Sequence, residues 1–492
     1  NFELGKVYSM GRTTETKVNL DCNSLPLHTF VTGSTGTGKS NTVYEIINQL
    51  RRRHGIPFLV IEPTKGEYKN VFGAVPDVTV YGTNPRQFEK LLRINPFRFN
   101  HDIHLLEHMD RLVEVFNACW PMYAAMPAVL KEAMQRAYES AGWNILASEN
   151  PSGDVFPGFA DLLKQVDAVV AESSYSADSK GDYAGALCTR IRSLCTGINS
   201  LLFGDNDLND QDLFDCNAIV DLSRIGSMET KALIMGLLIT RLNEYRISFH
   251  ESNKPLSHVT VLEEAHNLLK RTSTEQAAEG ANLLGKAVEL MANSIAEMRT
   301  YGEAFIIVDQ SPALLDMAAI RNTNTKIILR LPDQTDRELV GRAANLSDEQ
   351  ITELARLERG VAAVYQNDWI EPVLVKINKC GLEEKPYVPK CTPQLPDPSV
   401  SRQEILRFLL QGRLVEQQDF DVLELRRQLH ALPLPHNIQK EVEAMLNALS
   451  KADRPSLREG VPPPRPPCGG LLWWTEQSSA PACQGKKPYR SG

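Results

Sequence analysis

The sequence lacks any apolar run of membrane-spanning length and has no leader pattern at its start, so the expectation is a cytoplasmic protein without a membrane helix. Cysteine is sparse: nine in 492 residues, scattered at positions such as Cys22, Cys119, Cys188 and Cys380, with no CxxC pair. That spacing argues against a zinc or disulfide framework and for reduced thiols. Basic charge is not in excess, since the net charge is −8. A surface of that sign does not attract nucleic acid as a whole; any DNA contact needs a local basic patch or a pore. No internal repeat is visible. The first residue is Asn1 rather than Met, and the chain reads as missing its true beginning.

What is present is alternation. Short apolar, β-rich runs occur at LHTFV (27–31), IPFLVIE (56–62), DVTVYG (77–82), NAIVDL (217–222), HVTVLEE (258–264), AFIIVDQ (304–310) and TKIILRL (325–331). Several are apolar on both faces, as strands of a covered parallel sheet are. Helical patterns such as SNTVYEIINQLRRR and TKALIMGLLITRLNEYR lie between them. The expected fold class is α/β, with a mainly parallel, doubly wound sheet. Residues 27–94 and 213–377 are assigned to that core. Residues 95–212 have helical spacing and read as an all-helical insertion. Residues 378–400 (KPYVPKCTPQLPDPS within them) are proline-rich and read as a linker. Residues 401–452 form an expected small helical module, and 453–492, with VPPPRPPCGG, an expected disordered tail.

Residues 33–40, GSTGTGKS, fit the pattern GxxxxGK[ST] at every fixed position: Gly33, Gly38, Lys39 and Ser40. Glycines let successive backbone N–H groups turn toward one anion, and the following helix offers its positive end to the phosphates. Ser34, Thr35, Gly36, Thr37 and Asn41 complete the expected nucleotide-binding stretch. Lys39 is expected to reach the β- and γ-phosphates and the Ser40 hydroxyl to bind Mg²⁺. The bland alternative is a glycine-rich turn matching by chance. An apolar strand before the loop and a well-spaced helix after it decide for a nucleoside triphosphate, ATP.

A hydrolase of this kind needs carboxylates. Glu263 and Glu264 end the strand HVTVLEE; Glu263 is expected to serve the metal and Glu264 to polarise the attacking water. Gln310 ends AFIIVDQ and is placed to contact the γ-phosphate or that water. Arg299, just before the same strand, is a candidate to stabilise transferred charge, in cis or from a neighbouring subunit; Arg330 and Arg342 are weaker ones. Glu62, Lys65, Glu67 and Tyr68 follow the second strand and could touch nucleotide, a subunit interface or DNA, or only form a loop. Arg51, Arg52 and Arg53 read as the solvated, cationic end of the helix after the phosphate loop.

Four stretches together resemble one family: LDCNSLPLHTFVTGSTGTGKS, FLVIEPTKGEY, VLEEAHNLL and EMRTYGEAFIIVDQSPALLDMAAIRNTNTKIILRL. In order and spacing, over about residues 1–377, they resemble the HerA branch of the HerA/FtsK superfamily of P-loop ATPases, whose second motif commonly carries paired Glu. The resemblance implies a RecA-like core, a homo-hexameric ring with ATP sites between subunits, and duplex DNA threaded through it. It implies a DNA translocase or helicase, often working with a nuclease. It carries the nucleotide-site roles onto Lys39, Ser40, Glu263, Glu264, Gln310 and Arg299. Family members usually begin with a β-barrel; residues 1–26 read as its remnant. Two other readings stay open: an ATPase that scaffolds or regulates a partner effector or nuclease, and a substrate-pumping ATPase of conjugation or secretion.

Overall fold

A computed structural model of the chain describes residues 1–123, 125–151, 153–204, 207–249, 251–272, 283–366 and 368–389, with a few isolated positions between 426 and 444. The chain divides into a unit Asn1–Asp397 and a unit Pro398–Gly492. The expected helical module and tail lie almost wholly outside the described residues.

The first unit is built on one sheet of 12 strands. In chain order these are β1 (Phe2–Ser9), β2 (Arg12–Leu20), β3 (Thr29–Thr32), β4 (Phe58–Glu62), β5 (Val78–Gly82), β6 (Lys90–Leu91), β7 (Asn217–Asp221), β8 (His258–Glu263), β9 (Glu303–Asp309), β10 (Thr325–Ile328), β11 (Val361–Gln366) and β12 (Val373–Ile377). The spatial order is β2-β1-β12-β11-β10-β3-β9-β8-β4-β7-β5-β6. Every neighbouring pair from β10 to β6 is parallel. The strands from β2 to β10 pair antiparallel. All seven apolar runs read as strands lie in the parallel block. The opening residues form the outer antiparallel strands β1 and β2 of this same sheet.

Helices α1 (Lys39–Gln49), α2 (Tyr68–Phe72), α3 (Leu105–Cys119), α4 (Met126–Ser140), α5 (Phe159–Glu172), α6 (Ala177–Leu194), α7 (Asn199–Leu202), α8 (Asp210–Phe214), α9 (Met228–Ile247) and α10 (Leu283–Glu297) cover its two faces. Strand side chains alternate between those faces. Val31, Val60, Val261, Ile306 and Val308 pack with Val43, Ile46 and Ile47 of α1. Phe30, Leu59, Ile61, Leu262 and Ile307 pack with the helices on the other side. α9 is buried nearly all round, as its continuous apolar run requires. Each wholly enclosed Leu or Ile contributes about 2 kcal/mol, so the sheet is a stiff platform. Between β6 and β7 the described regular structure is helical, α3 to α8.

Parallel strands joined by crossover helices end at one edge. The turns after β3, β4, β7, β8, β9 and β10 therefore share that edge, set by the registers Thr32 to Asp309, Glu263 to Val308, and Glu62 to Asp221. This convergence positions the site.

Candidate functional site

The phosphate loop leaves β3 and enters α1 through Gly38, whose φ of 114° lies in the left-handed region, as does that of Gly36 at 77°. Side chains with a Cβ rarely adopt such angles. Val43, Ile46, Ile47 and Leu50, spaced by three and four, hold α1 against the sheet. The Lys39 ammonium reaches back across the loop to the Gly33 carbonyl at 2.6 Å. Burial lowers its pKa, with the charge of Lys65 acting the same way. The loop is braced from β10 and β11. Ser34 donates its N–H (2.9 Å) and its hydroxyl (3.1 Å) to the Arg330 carbonyl. The Gly360 N–H donates to the Thr37 carbonyl at 2.8 Å.

Three strand ends meet opposite this loop. The Thr35 hydroxyl donates to Gln310 Oε1 at 2.7 Å. Gln310 Nε2 donates to Glu264 Oε1 at 2.5 Å. Glu264 has φ 44° and ψ 54°, a left-handed conformation that is costly for a residue with a side chain. That turn directs consecutive carboxylates to different partners. Glu263 accepts from the Tyr68 hydroxyl at 2.5 Å. Its pKa is pushed up to about 7 by burial, with the Glu264 charge adding and the Tyr68 bond and Lys39 opposing. Behind Glu264, buried Asp309 accepts from the backbone N–H and Nδ1 of His266, both at 2.9 Å. The bond to Asp309 raises the His266 pKa.

The turn after β4 completes the constellation. The Glu62 carboxylate accepts from the N–H groups of Glu67 (2.7 Å) and Tyr68 (3.2 Å). Burial pushes its pKa up to about 8, with Asp221 and Glu263 adding. Glu67 Oε2 lies 3.4 Å from the Ser40 hydroxyl. Of the four residues whose role the sequence left open, Glu67 and Tyr68 thus touch the site and Glu62 holds them there.

Two of the expected residues stand apart from this constellation. The Asn41 side chain is engaged elsewhere: its Nδ2 donates to the Asn378 carbonyl (2.9 Å) and its Oδ1 accepts from the Cys380 N–H (3.0 Å). A helix turns 100° per residue, so the position after Ser40 faces elsewhere. Arg299 lies in the turn Met298–Tyr301, before the first residue of β9, whereas the phosphate loop meets the last. Seven strand residues separate them, roughly 20 Å at 3.3 Å per residue. Arg299 thus stands at the opposite edge of the sheet from the phosphate loop of its own chain. Arg330, exposed beside Ser34, is nearer the loop. Arg342 lies 3.8 Å from Asp348, both exposed. Of the cationic end of the first helix, Arg51 is paired with Asp77 at 2.7 Å while Arg52 and Arg53 are exposed.

Sequence reasoning passed over Asp309, His266 and Gly360. Gly360 (φ 75°) had one signal, a glycine directly before an apolar run; the other two follow only from strand order.

A phosphate loop braced on a parallel sheet, faced by a buried glutamate, a half-buried one and a glutamine, is the geometry of a nucleoside triphosphatase. The family model of the helicase HerA central domain matches residues 2–242. The chain belongs to the HerA-type P-loop ATPases. It is 24% identical, over 397 residues, to a DNA double-strand break repair helicase HerA of Sulfurisphaera tokodaii, covering 77% of this chain and 72% of that one. It is 23% identical to the protein of the same description in Saccharolobus solfataricus, covering 76% and 70%. Among solved structures, VirB4 of Thermoanaerobacter pseudethanolicus superposes with a TM-score of 0.56 at 18% identity, covering 77% of this chain and 96% of that one. The plasmid coupling protein TrwB, in complex with a non-hydrolysable ATP analogue, gives 0.53 at 14% identity, covering 80% and 94%. These two similarities establish the shared fold. This HerA-type chain is an ATP hydrolase. Among its described residues no helix is long and apolar enough to cross a membrane.

Proposed function

We propose that this HerA-type ATPase is a ring-forming motor, a homo-hexamer that couples ATP hydrolysis to movement on duplex DNA. The observation that carries the catalytic half is the hydrogen-bonded chain Thr35–Gln310–Glu264, which ties the phosphate loop to a buried carboxylate across three strand ends. In this reading Lys39 and the N–H groups of residues 33–40 hold the triphosphate. Glu264 takes the proton from the attacking water as the new P–O bond forms and the β–γ bridging bond breaks, while Gln310 orients the pair. Ser40 and Glu263 would hold Mg²⁺; the fit rests on hard oxygen donors and on a half-buried Glu263 crowded by the Glu264 charge, which a cation beside it would offset. The ion supplies charge neutralisation at the phosphates. Because it stands at the sheet edge away from its own phosphate loop, Arg299 is assigned in this reading to the site of the adjoining subunit, which makes assembly a condition of turnover.

The DNA half is supported by the descriptions of the HerA relatives as DNA double-strand break repair helicases. A nuclease partner is part of the same proposal. The test is steady-state ATPase activity with and without linear duplex DNA, on protein whose assembly state is measured by light scattering. Strong stimulation of a hexamer by DNA supports the motor. Turnover by a hexamer that is indifferent to DNA transfers the assignment to an ATPase gating a partner protein.

A further inference from the structure

A second cavity, of about 550 Å³, opens at the same sheet edge, and none of residues 33–40 lines it. Lys65, Lys69 and Arg224 line it together with Glu384 and Tyr387. Lys65 and Arg224 come from the turns, and Lys69 from the start of α2, that follow neighbouring strands in register, since Glu62 of β4 pairs with Asp221 of β7. Lys69 is matched by the fully buried Asp221. Lys65 and Arg224 are exposed, and among the described residues neither forms an ion pair within 4.0 Å. With Lys69 neutralised by Asp221, the exposed Lys65 and Arg224 share the opening with the one carboxylate of Glu384, an excess of one positive charge.

This arrangement is stiff without a ligand. A Cβ on Gly66 (φ 67°) would lie 2.8 Å from Lys69 Nζ and 2.9 Å from Asp221 Oδ2, so the turn rests directly on that ion pair. Glu62 clamps the next two backbone N–H groups. Tyr387 is fixed where its N–H donates to Asn70 Oδ1 at 3.1 Å and its ring stacks on Phe88. The run from Pro63 to Lys69 also reaches the ATP site, through Glu67 beside Ser40 and Tyr68 on Glu263. One seven-residue segment thus borders both the metal-binding serine and the cavity.

The geometry points to this cavity as a phosphate site that grips the backbone of a DNA strand, Lys65 and Arg224 donating to its non-bridging oxygens. The inference rests on the DNA-motor reading and adds to it a place of contact and a route of coupling. A guanidinium and an ammonium converging from rigid turns suit a tetrahedral oxyanion. Local convergence of this kind is what a chain of net charge −8 requires to meet a polyanion.

The test is the affinity for labelled linear duplex DNA, with a non-hydrolysable ATP analogue present, across a series of KCl concentrations. Wild type is compared with Lys65→Ala, Arg224→Ala, the double variant and Glu384→Gln; melting temperatures check the fold. Each lost phosphate contact lowers the slope of log K against log salt by about 0.9, so the double variant loses about 2. Affinity falls roughly tenfold per cation removed at low salt. Glu384→Gln, which removes a carboxylate from the lining, tightens binding, a change of sign that damage to the fold does not produce. Inorganic phosphate at fixed ionic strength competes with DNA on wild type and not on the double variant. If wild type binds DNA and the variants bind with the same affinity and slope, the assignment is wrong, even if phosphate still binds the cavity. If wild type binds no DNA at any salt, the motor reading falls and this inference with it.

Discussion

Glu264→Gln isolates the proton-accepting step. The amide is isosteric and its Oε1 still accepts from Gln310 Nε2, so the chain to Thr35 survives. Glu264 is only 5% exposed, which leaves little room for water to replace the lost carboxylate. What disappears is a base. General bases contribute about 10²–10⁴ in rate, so the barrier rises by about 3–5 kcal/mol at 1.36 kcal/mol per tenfold. Binding should hold or tighten, because a negative charge near the triphosphate has gone. The assay pairs single-turnover hydrolysis with titration of a fluorescent ATP analogue. Gln310→Ala is the companion: it keeps the base and cuts it from the loop, so its rate falls by about tenfold. A Glu264→Gln protein hydrolysing within twofold of wild type would refute the assignment.

Four further outcomes are expected. Lys39→Ala abolishes nucleotide binding in the same titration, since among the described residues no other buried cation stands at the loop. Mixing Arg299→Ala with Glu264→Gln, each inactive alone, restores part of the ATPase activity if the arginine acts between subunits; no recovery in mixed hexamers counts against the trans assignment. Asn41→Ala loses two hydrogen bonds to the Asn378–Cys380 backbone, costs about 2 kcal/mol of stability by denaturant titration, and leaves nucleotide affinity unchanged. For Glu263, the folded pKa of about 7 stands above the ordinary 4.5. Its contribution to stability is present below pH 4.5 and is lost as pH rises toward 7, a change on the order of 3 kcal/mol. Glu263→Gln should therefore raise the melting temperature of nucleotide-free protein more at pH 8 than at pH 5; an equal shift at both refutes the raised pKa.

The sequence by itself determined much of this protein. All seven runs of the parallel block were legible because strands covered on both faces must be apolar throughout. Gly33, Gly38, Lys39 and Ser40 were legible because an anion-binding turn admits few residue types at fixed spacing. Glu263, Glu264 and Gln310 were legible as polar residues ending apolar strands. The inner antiparallel strands β11 and β12 were not, since short antiparallel strands carry no comparable signature. Tertiary structure decided what depends on strand order and direction. Gln310 bonds to both Thr35 and Glu264 because β9 lies between β3 and β8. Arg299 stands at the far edge because it precedes its strand instead of following it. The Asn41 side chain bonds to the Asn378–Cys380 backbone because the chain after β12 returns to the first turn of α1. The cavity of Lys65, Lys69 and Arg224 exists because β4 and β7, more than 150 residues apart in the chain, leave the sheet side by side.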